Sequence, residues 1–528
     1  MTRDFLKNIF PYALVFSLIS YLLYGTGLHS DDYSEIHAMQ DLSMADFYFS
    51  QPQDLGIFLF GLPTYYFLFW MFPFAGHEYL FAYDIIKILV NFTCFLGICF
   101  FFKDYMPRLS AIFCAFLFIF FPLHDATNYW YMCMGYLISP ALLMFGHRLI
   151  RNNQYYSGFF LTLIGAFSFY VSPPFIFGLS IIFLAEKKLK KFFIYLIPGL
   201  IYCTYYFLVK SFVIGAERRI DDALSFGQFS KNFILQFASL VDASLGPSAV
   251  FKFFHFIQAA SLNIIFAIPL IFFAGIKFFN LGSSNPLKFQ LNKTLALGLI
   301  SVALLSLGVY SLTGYYWHTP FNLSNRSLIF ISLILSYLIT LAVSKNKALF
   351  VTFATFFLVV TISISDHWKS WNANQINIIN NISTNLELNA IPAGSVLFID
   401  NNLYSKVQST SYIEFFIMPW TSRAIFSDFV FKDRAVTVIP LSPYLKLDDS
   451  ILEDQKWNEK YALEDSPLFI YDSLLNRVTE LPQKDLAKDL QMRRRNISRH
   501  WVQMFSGTWL ESLITYFAPN MKYLFTEQ

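Results

Sequence analysis

The decapeptide His29–Ala38, HSDDYSEIHA, follows the first long apolar run of the chain and sets two adjacent carboxylates, Asp31 and Asp32, between two histidines. A carboxylate fixed at such a boundary can take a proton from an attacking hydroxyl held within hydrogen-bond reach. It can also ligate a divalent cation through oxygen. The same residues read equally well as a helix start, with Asp32 as cap and Glu35 at the third helical position. One aspartate suffices for capping, so the roles are compatible. His29 and His37 match no metal-ligand spacing.

Three further places carry groups with chemical reach. The stretch Gly314–Arg326, GYYWHTPFNLSNR, presents Tyr316, Trp317, His318 and Asn325 as ring faces and hydrogen-bonding groups. Arg326 is its one Lys or Arg, and a guanidinium can fork two hydrogen bonds onto a phosphate. The alternative is an interfacial aromatic belt with a snorkelling arginine. Asp84 and Lys87 stand at i and i+3 inside an apolar run, where charges face inward and are often functional. Either they pair with each other or Lys87 reaches an anionic group. His124-Asp125, with Asn128, Tyr129 and Trp130 close behind, forms a short polar loop. Holding that loop together is the simpler role, and His124 stays a candidate substrate contact.

These residues need positioning by a membrane-embedded body. The chain has 528 residues, of which 56% are hydrophobic and 14% charged, with mean hydropathy +0.48. Soluble domains average about 25% charged residues, so this is an integral membrane protein. No basic stripe suggests nucleic acid. All five cysteines lie in or beside apolar segments, which argues against a disulfide framework.

Apolar runs at 9–24, 80–102, 109–123, 132–146, 158–171, 174–185, 192–214, 257–277, 294–313, 327–343 and 348–364 predict about eleven crossings. The run 56–73 is read as a helix lying on the outer face, because only then do the basic loops all fall on the cytoplasmic side. The outer loop 26–79 then holds seven acids and no Lys or Arg. Arg3 and Lys7 precede an uncleaved signal anchor, which puts the N-terminus in the cytoplasm. Residues 366–528 turn to mixed charge, with β-like runs at 395–400, 435–441 and 467–471. The expectation is a multi-pass all-α membrane domain, 1–365, followed by a small C-terminal α/β domain, 366–528, outside the cytoplasm. From Met492 onward an amphipathic, surface-docking helix is expected.

An acidic pair directly after the first crossing, then outer-face helices and a multi-helix bundle with a C-terminal domain, resembles the GT-C class of membrane glycosyltransferases. The pattern is carried by Asp31-Asp32, the segment 51–76 and the run 80–102. Among bacterial members it is similar to the glucosyltransferases that decorate O-antigen in lipopolysaccharide from polyprenyl-phosphate sugars. The resemblance implies a bacterial inner-membrane enzyme that transfers one sugar from that donor to a glycan or glycolipid acceptor on the periplasmic face. Asp31 or Asp32 would be the base, the family pattern slightly favouring the first. Arg326 and Lys87 would meet the donor phosphate, and Tyr316, Trp317, His318, Asn325 and His124 would contact substrate. No cofactor is firmly implied; a divalent Mg or Mn ion is compatible with the acidic pair. The rival readings are a lipid-linked glycan flippase or transporter, and a surface-polysaccharide polymerase or ligase.

Overall fold

The computed structural model describes residues 2–39, 80–213, 225–262, 288–313, 318–407, 410–432, 434–442, 444–448, 450–463, 466–494 and 509–517, with a few isolated positions between these stretches. The run 56–73 and the aromatics Tyr316 and Trp317 fall outside them, Leu59 excepted, as does the second half of the expected crossing 257–277. The chain divides into two compact units. One comprises 1–27, 39–320 and 324–369; the other comprises 28–38, 321–323 and 370–528.

Among the described residues, seven helices are long and apolar enough to cross a membrane. They are Phe81–Phe102, Tyr131–Arg151, Leu189–Phe212, Phe226–Gln258, Lys293–Thr313, Leu323–Val343 and Lys347–Thr384. Ile9–Leu23, Arg108–Ile119 and Ser172–Ala185 are apolar but shorter. At ~1.5 Å per residue, the 14 residues of Ser172–Ala185 rise only ~21 Å, against the ~30 Å hydrocarbon thickness a lone helix must span. The chain is thus a helical membrane protein. The stretch Phe226–Gln258 was not among the expected runs. Its charged residues Lys231, Asp242 and Lys252 interrupt the apolar pattern, yet it is helical except at Gly246.

Close helix approach explains how so short a helix is held. At Gly178 of Ser172–Ala185, an added Cβ would sit 2.6 Å from the Val302 backbone nitrogen. Across the pair, a Cβ at Gly298 would fall 2.4 Å from Ile182 Cγ1. The two glycines let these backbones nearly touch, the packing that substitutes for a hydrophobic driving force within a bilayer.

The second unit contains a four-stranded sheet built from β1 (Val396–Asp400), β2 (Thr437–Pro440), β3 (Leu468–Asp472) and β4 (Arg477–Glu480). Its order is β2-β1-β3-β4. β1 runs parallel to both β2 and β3, while β4 closes the edge antiparallel. Strand β1, VLFID, is buried along four consecutive residues, as a parallel strand covered on both faces must be. Val396, Phe398, Ile439, Leu468, Leu486 and Leu490 share its core. The segment between β1 and β2 includes the helix Pro419–Phe426, continued as a wider turn through Phe431.

Two boundaries differ from expectation. The helix Lys347–Thr384 runs 38 residues, ~57 Å, rather than ending at 364. Beyond 364 it is polar, but buried Trp368, Gln375, Ile378, Ile379 and Ile382 recur at helical spacing. The division between units falls at 369/370, inside this helix, not at 365/366. Residues 28–38, assigned from sequence to the membrane domain, belong to the second unit because their side chains bond to partners around 371–375 and 415–428. Near the C-terminus, Gln483–Arg494 and Trp509–Phe517 are helical; the rest of the expected docking segment lies outside the described residues.

Candidate functional site

The first helix ends at Leu23, and a strap with left-handed glycines follows, Gly25 at φ +85° and Gly27 at φ +62°. In the first unit this strap is gripped by the two charges of the next helix. Asp84 accepts hydrogen bonds from the Gly25 N–H at 2.7 Å and the Gly27 N–H at 2.9 Å. Lys87 Nζ donates to Thr26 Oγ1 and to the Gly27 carbonyl, both at 2.6 Å, and lies 3.0 Å from Asp84. Lys87 is wholly buried. Its ammonium has three protons, already directed at the strap, at Asp84 and, at 3.4 Å, at the Tyr129 carbonyl. Lys87, expected from the resemblance at the donor phosphate, clamps the strap in this structure.

In the second unit the acidic pair is sorted. Asp32 is wholly buried. Its carboxylate accepts the His29 N–H at 2.9 Å, and its own N–H returns to the His29 carbonyl at 3.1 Å. The carboxylate thus reaches back across the turn ahead of the helix; because that helix opens at Asp31, Asp32 lies in its first turn and not at the cap expected from sequence. Ser30, in the closed turn, takes a left-handed φ of +50°. Behind it, the Gln375 amide oxygen accepts from His29 Nδ1 at 3.0 Å and from Trp371 Nε1 at 2.6 Å, and its nitrogen donates to the Leu28 carbonyl at 2.9 Å. Tyr33 packs edge-on against Phe415. Burial, and secondarily the Asp32 charge, raises the Tyr33 phenol above its usual range.

Asp31 is held differently. It opens the helix Asp31–Met39 and is half-buried. Its Oδ1 accepts the Trp420 indole N–H at 2.6 Å, across 389 residues of sequence. Trp420 in turn lines a cavity of about 490 Å³ in this unit, with Ser34, Glu35 and His37 on one wall and Arg423, Arg434 and Phe431 on another. An indole N–H occupies one of the roughly four lone-pair positions of a carboxylate. Among the described residues, no three His, Cys, Asp or Glu side chains gather into a metal site.

The remaining candidates lie in the first unit. Arg326 is half-buried, its Nε 3.1 Å from Tyr136 Oη and its guanidinium 5.1 Å over the Trp130 ring. His318 is buried, with Nδ1 2.9 Å from Ser327 Oγ. Its Nε2 has no partner among the described residues. Burial lowers its pKa to about 3, so the ring stays neutral.

Asn325 and His124, expected at the substrate, are buried and bonded within the protein. Asn325 Nδ2 donates to Asp125 at 2.6 Å, and its Oδ1 accepts the Ala126 N–H. Both His124 nitrogens are engaged at 2.8 Å, with Thr127 Oγ1 and the Phe118 carbonyl. Burial lowers the His124 pKa to about 4. The true centre of that loop is Asp125, which accepts Lys252 Nζ at 2.5 Å and Trp368 Nε1 at 2.7 Å.

Trp420, Arg434, Lys252 and Gln375 escaped the sequence reading. A lysine among phenylalanines, KFFHF, and a tryptophan at a helix start, PW, were their only local signals. No family model, curated protein or solved structure matches this chain.

Proposed function

We propose that the protein is a membrane glycosyltransferase in which Asp31 is the general base. The supporting observation is the asymmetry of the acidic pair. Asp32 closes a turn and is wholly buried, whereas Asp31 is half-buried and accepts the indole N–H of Trp420, a residue that lines a cavity of ligand size. The resemblance to the GT-C class supplies the reaction. In it, Asp31 accepts the proton of an acceptor hydroxyl as that oxygen bonds to the anomeric carbon of a polyprenyl-phosphate sugar. The bond from that carbon to the phosphate oxygen breaks, and the polyprenyl phosphate leaves with the electron pair. Arg326 takes the donor-phosphate role, where a guanidinium offsets the charge on the leaving group. In this proposal the chain has eleven crossings and resides in a bacterial inner membrane. Its N-terminus is cytoplasmic, its C-terminal domain periplasmic, and the acceptor is a glycan or glycolipid.

The test is sugar transfer in membranes supplied with polyprenyl-phosphate sugar, with protein level and melting followed in parallel. Asp31→Asn loses about 10²–10⁴-fold in rate, while Asp32→Asn, which keeps an oxygen for the His29 N–H, transfers at near the parental rate. Normal transfer by Asp31→Asn rejects the proposed base. Arg326→Ala weakens donor use; unchanged donor saturation removes Arg326 from the site.

A further inference from the structure

The cavity beside Asp31 contains one cation whose setting differs from the others. At about 490 Å³, it lies within the range of roughly 300–1,000 Å³ for small-molecule sites. Three basic side chains line it. His37 Nδ1 meets Asp428 at 2.6 Å, and Arg423 meets Glu459 at 2.7 Å. Arg434, half-buried, instead donates to three backbone carbonyls, those of Asn389 at 2.7 Å, Ile391 at 3.3 Å and Val430 at 3.1 Å. Its guanidinium also lies 5.2 Å over the Phe431 ring. These partners are neutral. They fix the direction of the fork and remove its rotamer freedom without cancelling its charge, the preorganisation that makes an anion contact strong.

The rest of the lining narrows the ligand. Trp420 brings an indole ring to the lining, and Ala38, Ala424, Phe431 and Val436 are apolar. Glu35 adds a carboxylate to the same lining. A bare inorganic anion would leave most of this volume unfilled, and a purely apolar ligand would strand the guanidinium.

We propose that this cavity binds an acidic sugar, a residue bearing a carboxylate or phosphate, with Arg434 on the anionic group and Trp420 against the ring. On the reading of Asp31 as base, which this inference extends, that sugar belongs to the acceptor.

The experiment measures binding to the full-length protein in lipid nanodiscs by calorimetry. The probes are a glucuronate-terminated disaccharide, the same disaccharide ending in glucose, glucose 6-phosphate and inorganic phosphate. The acidic disaccharide, the sugar phosphate or both bind about tenfold or more tightly than the neutral disaccharide, and their ranking tells which anion fits. Arg434→Gln removes that preference, and Arg434→Lys restores part of it. Ala38→Trp, on an exposed helix position, fills the cavity and weakens every sugar probe. It carries the test if the Arg434 variants fold poorly. Equal affinity for acidic and neutral disaccharides overturns the proposal, as does sugar binding that Ala38→Trp leaves unchanged. Inorganic phosphate binding as tightly as the sugar phosphate removes the sugar from it. No turnover is read. Acidic-sugar binding without any transfer therefore rejects the glycosyltransferase and leaves the cavity standing, and transfer without discrimination does the reverse.

Discussion

The two units treat their charges in opposite ways. In the first, Asp84 with Lys87 and Asp125 with Lys252 are buried carboxylates, each facing an ammonium and further donors. Such pairs cost desolvation that their mutual attraction only repays with good geometry, and what they accomplish is shape. The Asp125 group ties together residues 125, 252, 325 and 368, and the Asp84 group ties a strap to a helix. In the second unit, Asp31 accepts the Trp420 indole N–H and Arg434 donates to neutral carbonyls, both at half-buried positions. A charge matched by an opposite one has little left for a substrate, whereas a guanidinium aimed by neutral carbonyls, as Arg434 is, keeps its charge.

That contrast can be broken at four points. The largest effect belongs to Asp125. Removing one partner of a buried pair costs about 3–5 kcal/mol, so Lys252→Met and Asp125→Ala each lower the melting temperature strongly in detergent. The double variant recovers part of the loss; strictly additive losses would show that the pair is not coupled. Next is Asp31→Asn, which on the contrast should cost transfer and not melting. A melting loss as deep as that of Asp125→Ala would move Asp31 into the structural class.

The third concerns acid. His124 is buried with its pKa lowered to about 4, against about 6.5 in an unfolded chain. Between those values the unfolded state binds more protons, so stability falls as pH drops from about 6.5 to about 4, by up to about 3 kcal/mol. His124→Gln flattens that slope in melting temperature against pH; an unchanged slope places its origin elsewhere. The smallest is Asp32→Ala, where leaving the His29 N–H unanswered costs about 1–3 kcal/mol. No measurable change would mean that the turn closes without it.

The membrane class and the strands were legible because each rests on local composition. β1, β2 and β3 coincide with the runs at 395–400, 435–441 and 467–471, which are short and mostly apolar. The continuation of Lys347–Thr384 was not legible by hydropathy, since its second half is polar and only its buried stripe is periodic. The helix Phe226–Gln258 was hidden by interior charges such as Lys252, whose partner Asp125 lies 127 residues away. The acidic pair was visible as a pair. Its sorting was not, because the residue that distinguishes Asp31, Trp420, is distant in sequence and ordinary in its own neighbourhood.

The same distance imposes an order on synthesis. A chain emerging from its N-terminus has both Asp84 and Lys87 when fewer than 90 residues exist, so the strap after the first helix can be gripped almost at once. The indole on Asp31 arrives only when residue 420 of 528 has been made, and domains tend to fold as their sequence completes. A nascent or truncated chain would therefore hold its strap before the Trp420 indole could reach Asp31. In this proposal, competence for chemistry is a late event in the life of each molecule, separated from membrane insertion by most of the time taken to translate it.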